Sequence, residues 1–183
     1  MDFLLLALGS FYLILPGAAA NIIPVLVKKM NFLNYPVDHG RQWNGKPIFG
    51  PNKTYRGFFF GILSAIVIAY VQRILFLNYE YFKEISIIDY SAQNFMILGF
   101  LIGFGALFGD LVKSFFKRRV GIGPGVSWFP WDQLDSLVGA LLFGSLVFVP
   151  PWSVVLFLLV LVPLAHIAVK HFGYFIGINK AKW

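Results

Sequence analysis

The chain contains no cysteine, which removes disulfide frames, thiolate metal sites and cysteine nucleophiles from consideration. Charge is scarce as well: only 13% of its 183 residues are Asp, Glu, Lys or Arg, and only eight of these are acidic. Soluble domains carry about 25% charged residues, so this composition excludes an ordinary water-soluble fold. The three histidines, His39, His166 and His171, have no convergent ligand spacing and are read as interfacial or satisfied side chains. No internal repeat of useful length is visible, which gives an inverted-repeat transporter no support. The opening Met1, Asp2 and Phe3 carry neither a basic leader nor a small-residue cleavage site, so the apolar run that follows is expected to be a retained span.

What the chain has instead is apolar length. Hydrophobic residues make up 58% of it, and the mean hydropathy is +0.75. A bilayer core of about 30 Å is crossed by about 20 mostly apolar residues in helical form. Five stretches meet or approach that requirement, at roughly 3–27, 55–77, 93–116, 131–149 and 152–172. The expectation is an all-α polytopic membrane protein, a single integral membrane domain over 1–183 with five transmembrane helices. Its cytoplasmic loops would be 28–54 and 117–130. Thirteen of the fifteen Lys and Arg residues fall in those loops, at the neighbouring span ends or in the C-terminal tail. Basic residues prefer cytoplasmic loops, so the N-terminus is expected outside and the C-terminus in the cytoplasm. Glycine pairs spaced i,i+4, Gly57/Gly61, Gly99/Gly103, Gly105/Gly109 and Gly173/Gly177, suit close helix approach in lipid. Residues 78–93, with Tyr79, Tyr81, Phe82 and Tyr90, read as an interfacial outer segment.

Against this background the stretch from Phe108 to Gly139 stands out. It packs Asp110, Lys113, Ser114, Lys117, Arg118, Arg119, Asp132 and Asp135 between apolar runs. The uncharged part of the third span reaches only Gly109, and that of the fourth begins only at Leu137, so the three aspartates must lie inside or at the rim of the membrane. Ionisable groups at that depth are costly unless they pair, bind an ion or line a wet cavity, and this makes them functional candidates. At helical spacing, Asp110, Lys113, Ser114 and Lys117 share one face, and so do Asp132, Asp135, Ser136 and Gly139. The connection between them contains Gly121, Gly123, Pro124, Gly125 and Pro130, which break helix and allow backbone to approach a ligand. Mg²⁺ is a hard cation that takes one or two carboxylates together with substrate phosphates and water, so Asp110, Asp132 and Asp135 form the candidate metal set. The competing reading is a structural network in which the acids neutralise Lys113, Lys117 and Arg118.

A second polar segment, Gly50-Pro-Asn-Lys-Thr-Tyr-Arg-Gly57, precedes the second span. A helix N-terminus offers unpaired N–H groups and a positive dipole end, so Asn52, Lys53, Thr54 and Arg56 there suit a triphosphate. The plainer alternative is capping by Asn52 or Thr54 with ordinary positive-inside bases. Upstream, Asp38, Gly40, Gly45 and Lys46 bring turn chemistry that can shape the same pocket. Asn21, near the cytoplasmic end of the first span, is read first as interhelical hydrogen-bonding glue. Trp128, Trp131 and Trp152 are expected at interfaces, with Trp128 also able to stack on a base.

Two motifs carry a resemblance: Gly109-Asp-Leu-Val-Lys-Ser-Phe-Phe-Lys-Arg118 followed, beyond the Gly/Pro loop, by Phe129-Pro-Trp-Asp-Gln-Leu-Asp-Ser136, and the segment Gly50–Gly57. The first is similar to the signature of the membrane cytidylyltransferases that make CDP-activated lipids. With the second, the five short spans and the small size, the chain resembles the archaeal CDP-archaeol synthases. No Lys-Asp pair follows Lys117 and Arg118, and Gln133 and Leu134 stand where the CDP-diacylglycerol synthase pattern has an arginine; both departures favour the archaeal branch. The resemblance implies transfer of a cytidylyl group from CTP to the phosphate of an isoprenoid ether lipid, with Mg²⁺ as cofactor. CTP, the lipid phosphate and membrane lipids are the implied partners, with no nucleic acid. It further implies catalytic roles for Asp110, Lys113, Asp132, Asp135 and Lys53. CTP binding would fall to Asn52, Lys53, Thr54, Arg56, Ser114, Lys117, Arg118, Gly121, Gly123 and Gly125. A small cation or substrate carrier, or a non-enzymatic membrane subunit using the acids as an ion site, is the competing class.

Overall fold

The computed structural model describes residues 2–124 and 126–175. Among these the regular structure is helical apart from one short hairpin, with loops between the elements. Helix α1 runs Phe3–Leu26 and continues as a 3₁₀ turn over Val27–Lys29. Strands β1 (Gln42–Trp43) and β2 (Lys46–Pro47) pair antiparallel. Helices α2 (Tyr55–Asn78), α3 (Glu80–Ile85), α4 (Phe95–Arg119), α5 (Trp131–Gly144) and α6 (Trp152–Phe175) follow. Three helices are long and apolar enough to cross a membrane by length and composition: Phe3–Lys29, Tyr55–Asn78 and Phe95–Arg119. Trp152–Ala168 is a shorter apolar helix, and α5 has only 14 residues. The chain is thus a helical membrane protein with several apolar helices.

The helix ends follow local chemistry. The Thr54 hydroxyl accepts from Gly57 N at 3.2 Å and starts α2; Asn94 Oδ1 accepts from Met96 N and Ile97 N and starts α4. Lys117, Arg118 and Arg119 occupy the last turn of α4, where cations meet the negative end of the helix dipole. Helix α4 then closes on Gly121 at φ +80°, with Ile122 N donating to Lys117 O (2.9 Å) and Gly121 N to Arg118 O (3.2 Å), a Schellman cap.

Small residues decide how the helices meet. A Cβ added at Gly105 would lie 2.3 Å from Gly139 O, one at Gly139 2.1 Å from Gly105 O, and one at Gly109 2.1 Å from Asp135 O. The backbones of α4 and α5 therefore touch, and this contact sets Asp110 and Asp135 beside each other. Gly99 and Gly103 admit the backbone and Ala65 of α2, while Gly61 admits Ala20 O of α1. Gly177 lies outside the described residues, and so does any contact of the Gly173/Gly177 pair.

At the far end, Tyr90 and Ile88 are buried with Tyr12, Leu98, Leu137, Val154 and Leu158. The segment expected to lie at the interface is therefore divided. Tyr79 and Tyr81 are exposed, whereas Phe82 and Tyr90 turn inward against Tyr12 because the short α3 folds back under the bundle. Gln72 and Tyr12 are joined by a buried bond from Gln72 Nε2 to Tyr12 O (2.6 Å), which ties α1 to α2.

Candidate active site

The C-terminal end of α4, the N-terminal end of α5 and the loop before α2 meet at one end of the bundle. On α4, Asp110, Lys113, Ser114 and Lys117 do share a face; on α5, Asp132 and Asp135 lie opposite. Lys113 Nζ stands among all three carboxylates, 3.0 Å from Asp110, 3.1 Å from Asp132 and 2.7 Å from Asp135. Lys117 Nζ lies 3.0 Å from both oxygens of Asp132 and donates to Val126 O at 2.5 Å. Lys53 reaches across from the other segment to pair with Asp110 Oδ2. Backbone N–H groups complete the set: Trp128 N donates to Asp132 Oδ2 (2.7 Å) and Ser136 N to Asp135 Oδ1 (2.6 Å).

A cavity of about 250 Å³ opens over this network, lined by Asn52, Lys53, Lys113, Ser114, Lys117, Arg118 and Asp132 together with Phe49, Pro124, Val126, Ser127 and His166. Arg118 is 8% exposed and its Nε is buried with no hydrogen-bond partner, so the guanidinium retains capacity for an anion. A second cavity of about 390 Å³ lies beyond the Pro51–Lys53 wall, lined by Asn21, Lys28, Thr54, Arg56, Phe58, Leu107 and Asp110 among others.

The structure thus separates residues expected in one site. Asn52 and Lys53 face both cavities, while Thr54 and Arg56 line only the second. The Thr54 hydroxyl is engaged as the α2 cap, and Arg56 Nη1 donates to Met30 O. Gly121 and Gly123 line neither cavity, and the Gly121 N–H is consumed in the cap of α4, so the expected phosphate contact from it is not available. Gly125 lies outside the described residues.

Tertiary packing places three further residues, of which only Asn21, read as interhelical glue, carried a sequence signal. His166 comes from α6 to the lip of the first cavity, a long-range placement that spacing does not reveal. Asn21 lines the second cavity, and besides donating to Gly17 O (3.3 Å) its Oδ1 accepts from Ser136 Oγ at 3.5 Å, so it also joins α1 to α5. Arg119 clamps the hairpin: Nη1 donates to Trp43 O (2.6 Å), Nη2 to Lys46 O (3.1 Å) and to Pro47 O, and Lys46 Nζ returns a bond to Arg119 O (3.0 Å). The hairpin turns at Asn44-Gly45, both at positive φ as a two-residue turn of this kind requires.

Asp38 holds the next part of the loop. Its carboxylate accepts from Gly40 N (3.0 Å), Phe49 N (2.9 Å) and Gly50 N (3.0 Å), fixing the chain that leads into Asn52 and Lys53. Burial pushes this carboxyl up, but the N–H groups of Gly50, Phe49 and Gly40 outweigh that and hold it below the ordinary carboxylate range.

The fit to a divalent cation turns on the donors present. Among the described residues no three acidic or histidine side chains are drawn together at metal-ligand spacing, because the Lys113 ammonium occupies the focus of the carboxylates. The donor set is nevertheless suitable. Mg²⁺ needs one or two carboxylates beside substrate phosphates and water. Asp135 Oδ2 is buried and, although 2.7 Å from Lys113 Nζ, has no donor well aligned to it.

Carboxylates interleaved with bases, around a cavity at the end of apolar helices, are an arrangement suited to a membrane enzyme that handles charged substrates. Comparison with known proteins agrees. The CarS-like family, described as CDP-archaeol synthase, matches residues 3–183. The CDP-archaeol synthase of Methanospirillum hungatei is 41% identical over 81% of this chain and 89% of its own. That of Thermococcus onnurineus is 36% identical over 96% of both. A solved structure described as an intramembrane enzyme for archaeal membrane lipid biosynthesis superposes with a TM-score of 0.71 at 28% identity, covering 87% of this chain and 91% of that one. The chain belongs to the CDP-archaeol synthase family.

Proposed function

We propose that the chain transfers the cytidylyl group of CTP to 2,3-bis-(O-geranylgeranyl)-sn-glycero-1-phosphate, giving CDP-archaeol and pyrophosphate, with the site facing the cytoplasm and Mg²⁺ as cofactor. The observation that carries this reading is the convergence of Lys53, Lys113, Lys117, Arg118 and Asp132 on one cavity, with Asp110 and Asp135 paired to the same lysines at its edge. Thirteen of fifteen basic residues clustering on one side supports the cytoplasmic orientation.

A phosphate monoester is already an anionic nucleophile at neutral pH. Its oxygen forms the new bond to the α-phosphorus of CTP, the bond from that phosphorus to the bridging oxygen breaks, and pyrophosphate leaves with the electron pair. Such chemistry calls for alignment and charge neutralisation more than for a dedicated base. Lys117 and Arg118, with Ser114, bind phosphate oxygens in the first cavity, and Asn52 adds a hydrogen bond from the facing wall. Lys53 and Lys113 stand where negative charge develops. Asp110, Asp132 and Asp135 would hold Mg²⁺, which when bound supplies further neutralisation of the phosphates. The carboxylates also keep the lysines oriented, as the Asp132–Lys117 pair does.

The test is to incubate the purified chain in detergent with labelled CTP, Mg²⁺ and the lipid phosphate, and to look for a CDP-lipid. A folded protein that yields none with any divalent metal refutes the reading.

A further inference from the structure

Apart from Asn52, Lys53 and Asp110, the residues of the second cavity have no role in holding CTP, and its walls differ in kind from those of the first. We propose that it seats the lipid phosphate monoester, with the headgroup between Lys28, Arg56 and Lys53 and the isoprenoid chains leaving past Val25 and Phe58. This rests on the cytidylyltransferase reading and adds to it a separate seat for the acceptor.

Three observations carry it. First, the two cavities share the wall Pro51–Lys53, and Lys53 bonds to Asp110, which lines only the second. An acceptor in the second cavity and a nucleotide in the first would therefore meet at that pair. Second, the charge differs. Among the described residues each cavity is lined by one acid, but Asp132 in the first is paired to the lining Lys113 and Lys117, whereas Asp110 in the second is bound by Lys53 and Lys113 and makes no ion pair with Lys28 or Arg56. Arg56 is 6% exposed, so its charge is poorly screened and favours a dianion. Third, the way out is apolar. Val25 and Leu26 are 69% and 70% exposed at the end of α1, so the mouth opens on the surface these helices offer to lipid. The first cavity is instead edged by Pro124, Val126 and Ser127 of the loop after α4 and by His166. Leaving pyrophosphate shares the phosphate chemistry, but it would gain nothing from an apolar exit.

The experiment uses the full chain in detergent micelles, with Lys28→Ala, an exposed site that does not threaten the fold, and Arg56→Lys, which keeps the charge and loses the fork. Four quantities are read: KM for the lipid phosphate, calorimetric Kd for CTP with Mg²⁺, lipid phosphate retained in native mass spectra, and inhibition by pyrophosphate. Each variant should raise the lipid KM about tenfold and lose retained lipid, while the CTP Kd moves less than about twofold. A weakened CTP Kd with the lipid KM unmoved assigns the cavity to the nucleotide and overturns the proposal. Relief of pyrophosphate inhibition alone assigns it to the product and does the same, as does no change in either variant. Retention of lipid by the parent and its loss in the variants, without any CDP-lipid formed, would uphold the seat and sink the reaction.

Discussion

Gly139→Ala is the sharpest probe of how the fold makes the site. The added methyl would sit 2.1 Å from Gly105 O and 2.9 Å from Gly105 C, both backbone atoms that no side-chain rotation can move. To reach even 3.0 Å, a separation real Cβ atoms essentially never go below, α4 and α5 must part by about 0.9 Å. Asp135 lies one turn from Gly139, and Gly109 already touches its carbonyl, so this displacement passes directly to Asp110 and Asp135. A misplacement of about 1 Å in an aligned reaction costs on the order of 100-fold in turnover. Helix propensity works the other way, since Ala is favoured over Gly by about 1 kcal/mol in a helix interior, so the loss is not one of helix formation. Gly17→Ala is the control: its methyl meets Ile102, Ala140 and Ala106 at 3.5–3.8 Å, ordinary contact. The assay is CDP-lipid formation at saturating CTP and lipid, with circular dichroism on the same samples. Gly139→Ala should keep its helicity and lose about 100-fold in kcat, while Gly17→Ala keeps both. Parental turnover in Gly139→Ala would refute the view that backbone contact between α4 and α5 positions the carboxylates.

Asp110→Asn removes the charge partner of Lys53 and one of the three of Lys113 and should lower turnover by at least about 100-fold with the bundle still folded; full activity would exclude Asp110 from the reacting centre. Arg119→Ala releases the hairpin that leads into the 49–53 wall. The expected result is a KM for CTP raised roughly threefold or more and faster proteolysis near residues 42–47, with Arg119→Lys only partly restoring the parent, since an ammonium cannot span three carbonyls. Asp38 ionises more readily folded than unfolded, so its contribution to loop stability is present above the ordinary carboxylate pKa of about 3.9 and is lost as pH falls through the lower folded value. Protection of the Phe49 and Gly50 amides, relative to their intrinsic exchange at each pH, should therefore fall on acidification below about pH 4, and Asp38→Asn should show weak protection already at neutral pH.

Much of the helical frame is legible in composition, because lipid leaves apolar sequence little choice: backbone groups must be satisfied within a helix. The polar face of α4 is legible for a related reason, since a 3.6-residue period places Asp110, Lys113 and Lys117 together whatever surrounds them. The motif Asn52–Arg56 is a different case. Its residues are adjacent in sequence, yet the first turn of α2 rotates Arg56 toward Met30 and Lys28 while Lys53 reaches Asp110, and adjacency carries no information about that division. The 120s glycines illustrate the converse: a breaker such as Gly121 signals loop in any setting, but only the chain reversal after Arg119 shows that its N–H serves the helix cap.

An apolar, cysteine-free chain with three of its eight acids gathered between Phe108 and Gly139 already dictated helices, lipid surroundings and a charged centre near Asp110, because the costs of burying charge and unpaired backbone are local and read along the sequence. Which cation stands among the three carboxylates, which bases line which cavity, and that His166 and Arg119 take part at all were decided by packing. Those outcomes depend on the Gly105–Gly139 contact and on a loop clamped by an anchor 73 to 76 residues away in sequence, and such long-range distances are properties of the folded bundle alone.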